Sequence, residues 1–294
     1  MGLFFSSDRF TRPGPGVRPD APRKKGVARL AEIMGRDMWN FFRAGFLAFL
    51  GCLPFIIGMF FAVETHALLF MLLAGIIGGL IAGPELSAMA DTVLRSLRDE
   101  PGYWWETYRR VWKRNARESL VPGMLTGLVL SMQIFTLFHM SVISAGIVTW
   151  VLLILSFVVT LGLESYIWPQ IALLNLPLYG ILKNSLLLFL GYLPRSLGAI
   201  AINAVYWGAI LLFFPLTMII LPFTNFWLPM LPALLCIYQP LNKCFTIEST
   251  INKMREDELN AALAKDNEPL PEDPTEKAEE STEASSDDSS SDVQ

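Results

Sequence analysis

Three long stretches of this 294-residue chain contain no lysine or arginine: residues 44–94, 118–182 and 196–242. All 23 basic residues lie before, between or after them. Each stretch is too long for one bilayer crossing and about right for two, because a spanning helix takes roughly 20 apolar residues. Cysteine is also scarce. Cys52, Cys236 and Cys244 are isolated, so neither a disulfide framework nor a thiolate metal site is expected. There are two histidines, His66 and His139, and no His/Cys/carboxylate cluster with metal-ligand spacing. Neither GxxxxGK[ST] nor GxGxxG occurs, so the chain carries no phosphate-cradling loop with which to use ATP itself. These absences leave no catalytic constellation, and no catalytic, cofactor-binding or metal-binding residue is assigned.

Charge is rare overall, at 17% Asp, Glu, Lys and Arg against about 25% in ordinary soluble domains, and it is unevenly placed. Residues 1–245 carry a net charge of +7, and residues 246–294 carry −11. A basic membrane body with an acidic tail follows. Positive segments flanking apolar spans belong on the cytoplasmic side, where they meet anionic lipid headgroups; nucleic acid is not expected as a partner.

The expected organisation has three parts. Residues 1–25 form a Pro-, Gly- and Arg-rich extended arm. Residues 26–245 form an all-α, polytopic transmembrane domain of about six helices. Residues 246–294 form an acidic cytoplasmic tail, mostly disordered for want of large apolar residues, with one amphipathic stretch near 254–265. Within the domain, crossings are expected at about 44–63, 67–84, 120–138, 144–163, 196–221 and 225–241. The first should stay in the membrane rather than be removed as a signal. Outer turns fall at Glu64–His66, around His139 and at Pro222–Thr224. Amphipathic interfacial helices are expected before crossing one, before crossing three and between crossings four and five. In the first, Arg29, Arg36 and Arg43 recur on one face. Gly75 and Gly79 make a GxxxG pair that invites close helix contact. Glu85, Asp91, Glu118 and Glu164 sit near cytoplasmic ends, where pairing with Arg95, Arg114 or Arg117 is available.

The segment 95–117 is the most distinctive part exposed to water. A helical wheel gathers Trp104, Tyr108, Val111 and Trp112 on one face and Arg110, Lys113, Arg114 and Arg117 on the other. Such a helix rests its aromatic rings at the headgroups and its charges in water, or it docks a cytoplasmic partner. The candidate docking residues are Trp104, Tyr108, Arg110, Trp112, Lys113 and Arg114, with Lys183 on a second helix at 178–190.

The order and spacing of several motifs resemble the YesL family of bacterial integral membrane proteins. Gly14-Pro15-Gly16-Val17 is followed by Asp20, Pro22 and Arg23-Lys24-Lys25. Gly83-Pro84 then precedes Leu94-Arg95. Lys113-Arg114-Asn115, Tyr166 to Pro169 and Lys183-Asn184 complete the set, over about residues 10–245. The resemblance implies a membrane protein of Gram-positive type whose genes neighbour sugar-uptake ABC transporters. Its implied role is accessory or permease-like, with the transporter's permease or ATPase subunits as partners and no enzymatic activity. A stand-alone secondary carrier and a non-transporting scaffold or regulator are the other readings.

Overall fold

The computed structural model describes residues 23–100, 102–140, 142, 146–174 and 176–266. The arm at 1–22 and the tail from 267 onward lie outside them, as does most of the turn at 141–145. The chain divides into two units, 1–245 and 246–294. Among the described residues every regular element is helical. In the first unit these are α1 (Gly26–Thr65), α2 (Leu68–Arg98), α3 (Trp104–Phe138), α4 (Ile147–Leu173), α5 (Leu178–Gly191), α6 (Leu193–Leu212), α7 (Thr217–Thr224) and α8 (Trp227–Phe245). In the second unit α9 (Ile247–Asp266) is a single, mostly exposed helix.

Five helices, α1–α4 and α6, are long and apolar enough to cross a membrane, so the chain is an all-α membrane protein. At 14 residues α5 is too short to span. The last apolar helix, α8, falls outside the five because Pro232, Gln239, Pro240, Asn242 and Lys243 dilute it.

Two expected interfacial helices are not separate elements. The arginine-bearing segment at 26–43 and the first crossing form one 40-residue helix, about 60 Å long at 1.5 Å per residue. Nothing at Arg43-Ala44 breaks the backbone hydrogen bonding. His66 ends α1 in the left-handed region (φ 51°), its N–H returned to the carbonyls of Ala62 and Val63. Likewise the aromatic-basic segment runs unbroken into crossing three, through Pro122.

Helix α2 is clamped between α1 and α3 through small residues. A π-helical turn, Ala74–Gly78, interrupts it. On the α3 side Gly75, Gly79 and Gly83 meet Gly127, Gly123 and Ser119. A Cβ at Gly75 would lie 2.5 Å from Ser131 Oγ, and one at Gly127 2.5 Å from the Gly75 carbonyl. On the α1 side a Cβ at Gly78 would lie 2.6 Å from Phe55 Cα, and one at Gly58 2.7 Å from Ala74 Cβ. The GxxxG pair therefore works as expected. Its partner row on α3, and the second row toward α1, were not foreseen.

The C-terminal third departs most from expectation. Pro222–Thr224 belong to α7, and the turn that follows lies against the basic half of α1. Phe223 stacks on Phe42, Trp227 stacks on Phe41, and a Cβ at Gly45 would strike the Trp227 ring. His66, at the other end of α1, is 21 residues further on, about 30 Å away. The turn thus lies by the basic half of α1 and not at the His66 end. At the other end of the α6–α8 pair, Tyr192 Oη lies 3.6 Å from Cys244 Sγ, and Tyr166 Oη lies 2.9 Å from Ser196 Oγ. Helix α5 folds back along α4, with Gln170 donating to Ser185 Oγ (2.8 Å) and the Phe189 ring reaching Gly162.

Candidate functional site

The arginines of α1 converge on the α2–α3 connection. A helix leaves its last carbonyls without partners, and a cation there is favoured by the helix dipole. Arg23, Arg29 and Arg36 donate to the carbonyls of Arg98 (3.2 Å), Leu97 (3.1 Å) and Ser96 (2.8 Å). The same three guanidinium groups hold Asp99: Arg29 at 2.7 Å, Arg23 at 3.1 Å, and Arg36 through a short hydrogen bond. Asp99 itself sits in the left-handed region (φ 59°), which turns the chain toward α3. Partial burial pushes its carboxyl up, but the hydrogen bonds from Arg36 and Arg29 and their charges outweigh that and hold it below the ordinary aspartate range. Arg29 is buried, not turned to water as an interfacial face would require.

Around this latch the remaining charges also pair. Arg95 binds Asp91 (2.7 Å) and Glu100 (3.3 Å), Arg98 binds Glu100 (2.8 Å), and Asp37 accepts from Ser96 and Arg36. A cleft of about 280 Å³ opens here, lined by Arg36, Asn40, Thr92, Arg95, Trp104 and Tyr108, among others. Its ionic groups are committed to one another, so its chemistry is that of a brace.

The brace positions the first turns of α3. Tyr108 and Val111 are buried, and Tyr108 Oη donates to Glu85 at 2.5 Å. Trp112 Nε1 donates to the same carboxylate at 2.9 Å. Trp104 is half-buried, with the Arg43 guanidinium 5.7 Å from its ring centre. Tyr108 and Val111 thus turn the centre of the aromatic face inward, while Trp112 stays partly exposed with its indole N–H on Glu85. Arg114 donates to the Ala172 carbonyl (2.9 Å) and caps α4. Arg110 and Lys113 face outward, Arg110 paired with the exposed Glu106 (2.8 Å). Lys183 is exposed on α5. Of the seven candidate residues, three thus present a charge outward, and Tyr108, Trp112 and Arg114 tie α3 to its neighbours. The pairing expected for Asp91 with Arg95 forms, whereas Glu85 takes a tyrosine and a tryptophan.

At the far end His66 and His139 meet, Nδ1 to Nε2 at 2.6 Å, with His139 buried and stacked on Phe135. Sequence reasoning also passed over an interior polar trio. Gln133 donates to Ser156 (2.6 Å) and Thr160 (2.8 Å), bridging α3 to α4. The signal was available: a glutamine inside an apolar run requires a partner. Among the described residues no group of three or more His, Cys, Asp or Glu could hold a metal ion. No family model, no curated protein and no solved structure matches the chain.

Proposed function

We propose that this chain is a multi-pass protein of the bacterial cell membrane, related to the YesL family. In this reading it is an accessory or permease-like component of an ABC-type carbohydrate uptake system, with the basic end and both termini cytoplasmic. Helices α1–α4 cross the bilayer, and α6 and α8 are the fifth and sixth membrane helices, an oblique pair held to the basic half. The orientation rests on the grouping of Lys and Arg at one end. The carbohydrate substrate class rests on the family resemblance alone.

One observation supports the subunit reading above the others. The first turns of α3 project as a braced helix: its inner face is tied to Glu85 and to the end of α4, while Arg110 and Lys113 stay outward. A helix that receives force from a separate ATPase must be rigid against its own bundle and present charge to a partner, and this one does both.

Mild crosslinking in native membranes, pull-down of this chain and mass spectrometry test the reading. Stoichiometric recovery of a sugar-transporter permease or ATPase is expected. Charge reversal at Arg110 and Lys113 should reduce that recovery several-fold without unfolding, since rim charges steer association. Unchanged recovery with normal sugar uptake would sink the proposal. Recovery of this chain alone, with uptake by the purified protein in liposomes, would favour the stand-alone carrier.

A further inference from the structure

A second basic pocket lies where α6 begins and α8 ends. Gly191, Tyr192, Pro194, Arg195, Gln239 and Lys243 contribute to its walls, around about 270 Å³. Lys243 stands in the last turn of α8, where the helix dipole accounts for a cation. Arg195 stands in the first turn of α6, where the dipole opposes one. Two cations and a positive helix end therefore face one space. Neither side chain makes a hydrogen bond or an ion pair with a described residue, whereas Arg29, Arg36, Arg95 and Arg98 each hold a carboxylate. The backbone N–H groups of Arg195 and Ser196 are turned to the Tyr192 carbonyl (3.0 and 3.1 Å). The donors left for a ligand are thus the guanidinium and ammonium groups, joined by the Gln239 amide.

Charge of one sign without a counter-charge calls for an anion, and the flank of the pocket says which kind. Leu190 and Leu193, next in sequence to the lining residues Gly191, Tyr192 and Pro194, are 59% and 42% exposed, and Leu197, one turn further along α6, is 47% exposed. A free anion has no use for an aliphatic flank; a phospholipid does. We propose that this pocket binds the phosphate headgroup of an anionic phospholipid, whose acyl chains run along Leu190, Leu193 and Leu197. Basic pockets between membrane helices on the cytoplasmic side suit such headgroups, and charge-assisted hydrogen bonds from an arginine fork supply the specificity. The site is independent of the transport reading: it needs only the membrane, and no partner protein.

The test uses the full chain, stripped of lipid in a neutral detergent and titrated in native mass spectrometry. The probes are phosphatidylglycerol and phosphatidylcholine of the same acyl composition. The wild type should prefer phosphatidylglycerol by about thirtyfold, since the two basic groups are worth about 1 kcal/mol each near a headgroup. Arg195→Gln with Lys243→Gln should abolish the preference, and the charge-keeping pair Arg195→Lys with Lys243→Arg should retain it. Arg109→Gln, a cation on α3 outside the pocket, should leave it unchanged. A wild-type preference below about twofold overturns the proposal even if the glutamine variant fails to fold. So does a preference that survives in a folded glutamine variant. Displacement of the lipid by inorganic phosphate at equal concentration would assign the pocket to a free anion and overturn the lipid assignment.

Discussion

Replacing Asp99 with asparagine removes the anion on which three arginines converge, and the structure sets the size of the effect. The Arg29 side chain is 7% exposed and Arg36 is 41% exposed. A charge-assisted hydrogen bond to the buried guanidinium is worth about 1.5–3 kcal/mol. The solvated pairs with Arg36 and Arg23 add only about 0–1 kcal/mol each. The carbonyl caps at Leu97 and Ser96 survive the change, so a loss of about 2–4 kcal/mol is expected at neutral pH. Unfolding of the purified protein in mixed micelles, followed by circular dichroism, measures it. The pH dependence has a definite sign. A carboxylate held below its unfolded value contributes stability that is fully present above about pH 3.9 and is lost as pH falls through the folded value. Wild type and Asp99→Asn should therefore differ by a constant amount from pH 7 down to about pH 4, and the gap should close only as pH falls further, through the depressed value of Asp99. A loss under about 0.5 kcal/mol, or a gap that does not change with pH, would refute the account of Asp99 as an electrostatic latch.

Four other expectations follow from particular contacts. Glu85→Ala leaves Tyr108 Oη buried without its acceptor and should cost about 1–3 kcal/mol in the same unfolding assay. Gly79→Leu, whose side chain would enter the α3 backbone at Gly123, should cost at least 1–3 kcal/mol, roughly, whereas Gly208→Leu, with nothing within 4 Å, should be tolerated. In a cysteine-free background, Thr65→Cys should react with an impermeant maleimide added to intact cells, and Tyr103→Cys should react only after permeabilisation. Phe214→Cys should stay unlabelled from outside in both conditions if the α6–α8 pair is held to the basic half; labelling equal to that at Thr65 would restore a full outer hairpin.

Much of the architecture was legible because one rule dominates in lipid. Backbone groups must be satisfied within the helix, so an apolar run of the right length reads as a helix. That logic found α1–α4 and α6, and the 178–190 helix, ordered here as Leu178–Gly191. It could not find helix continuity, because amphipathic and apolar segments meet at Arg43-Ala44 and Arg117-Glu118 without a breaker, and composition alone suggests two elements where the backbone makes one. The candidate site was partly legible for a related reason. The seven-residue spacing of Arg29, Arg36 and Arg43 was visible, but its target was not. A carbonyl left over at the end of α2 has no sequence signature, and only the fold brings it to Arg29.

The C-terminal third shows what hydropathy leaves undecided, for a physical reason. Hydropathy counts apolar length and assumes that each long run traverses the bilayer, yet a helix can satisfy its backbone equally well while lying obliquely against a bundle. What decides between the two is side-chain packing. Gly45 leaves room on α1, Trp227 and Asn225 fill it, and Phe41 and Phe42 stack on Trp227 and Phe223. Those contacts hold the α7–α8 junction to the basic half of α1, about 30 Å from His66 along the helix. The same placement brings the start of α6 to the end of α8 and sets Arg195 beside Lys243. Two full crossings would also have brought those residues together, since the ends of a hairpin meet. What favours a lipid over a free anion in the proposed site is the run of exposed leucines, Leu190, Leu193 and Leu197, that accompanies the pair of cations in sequence.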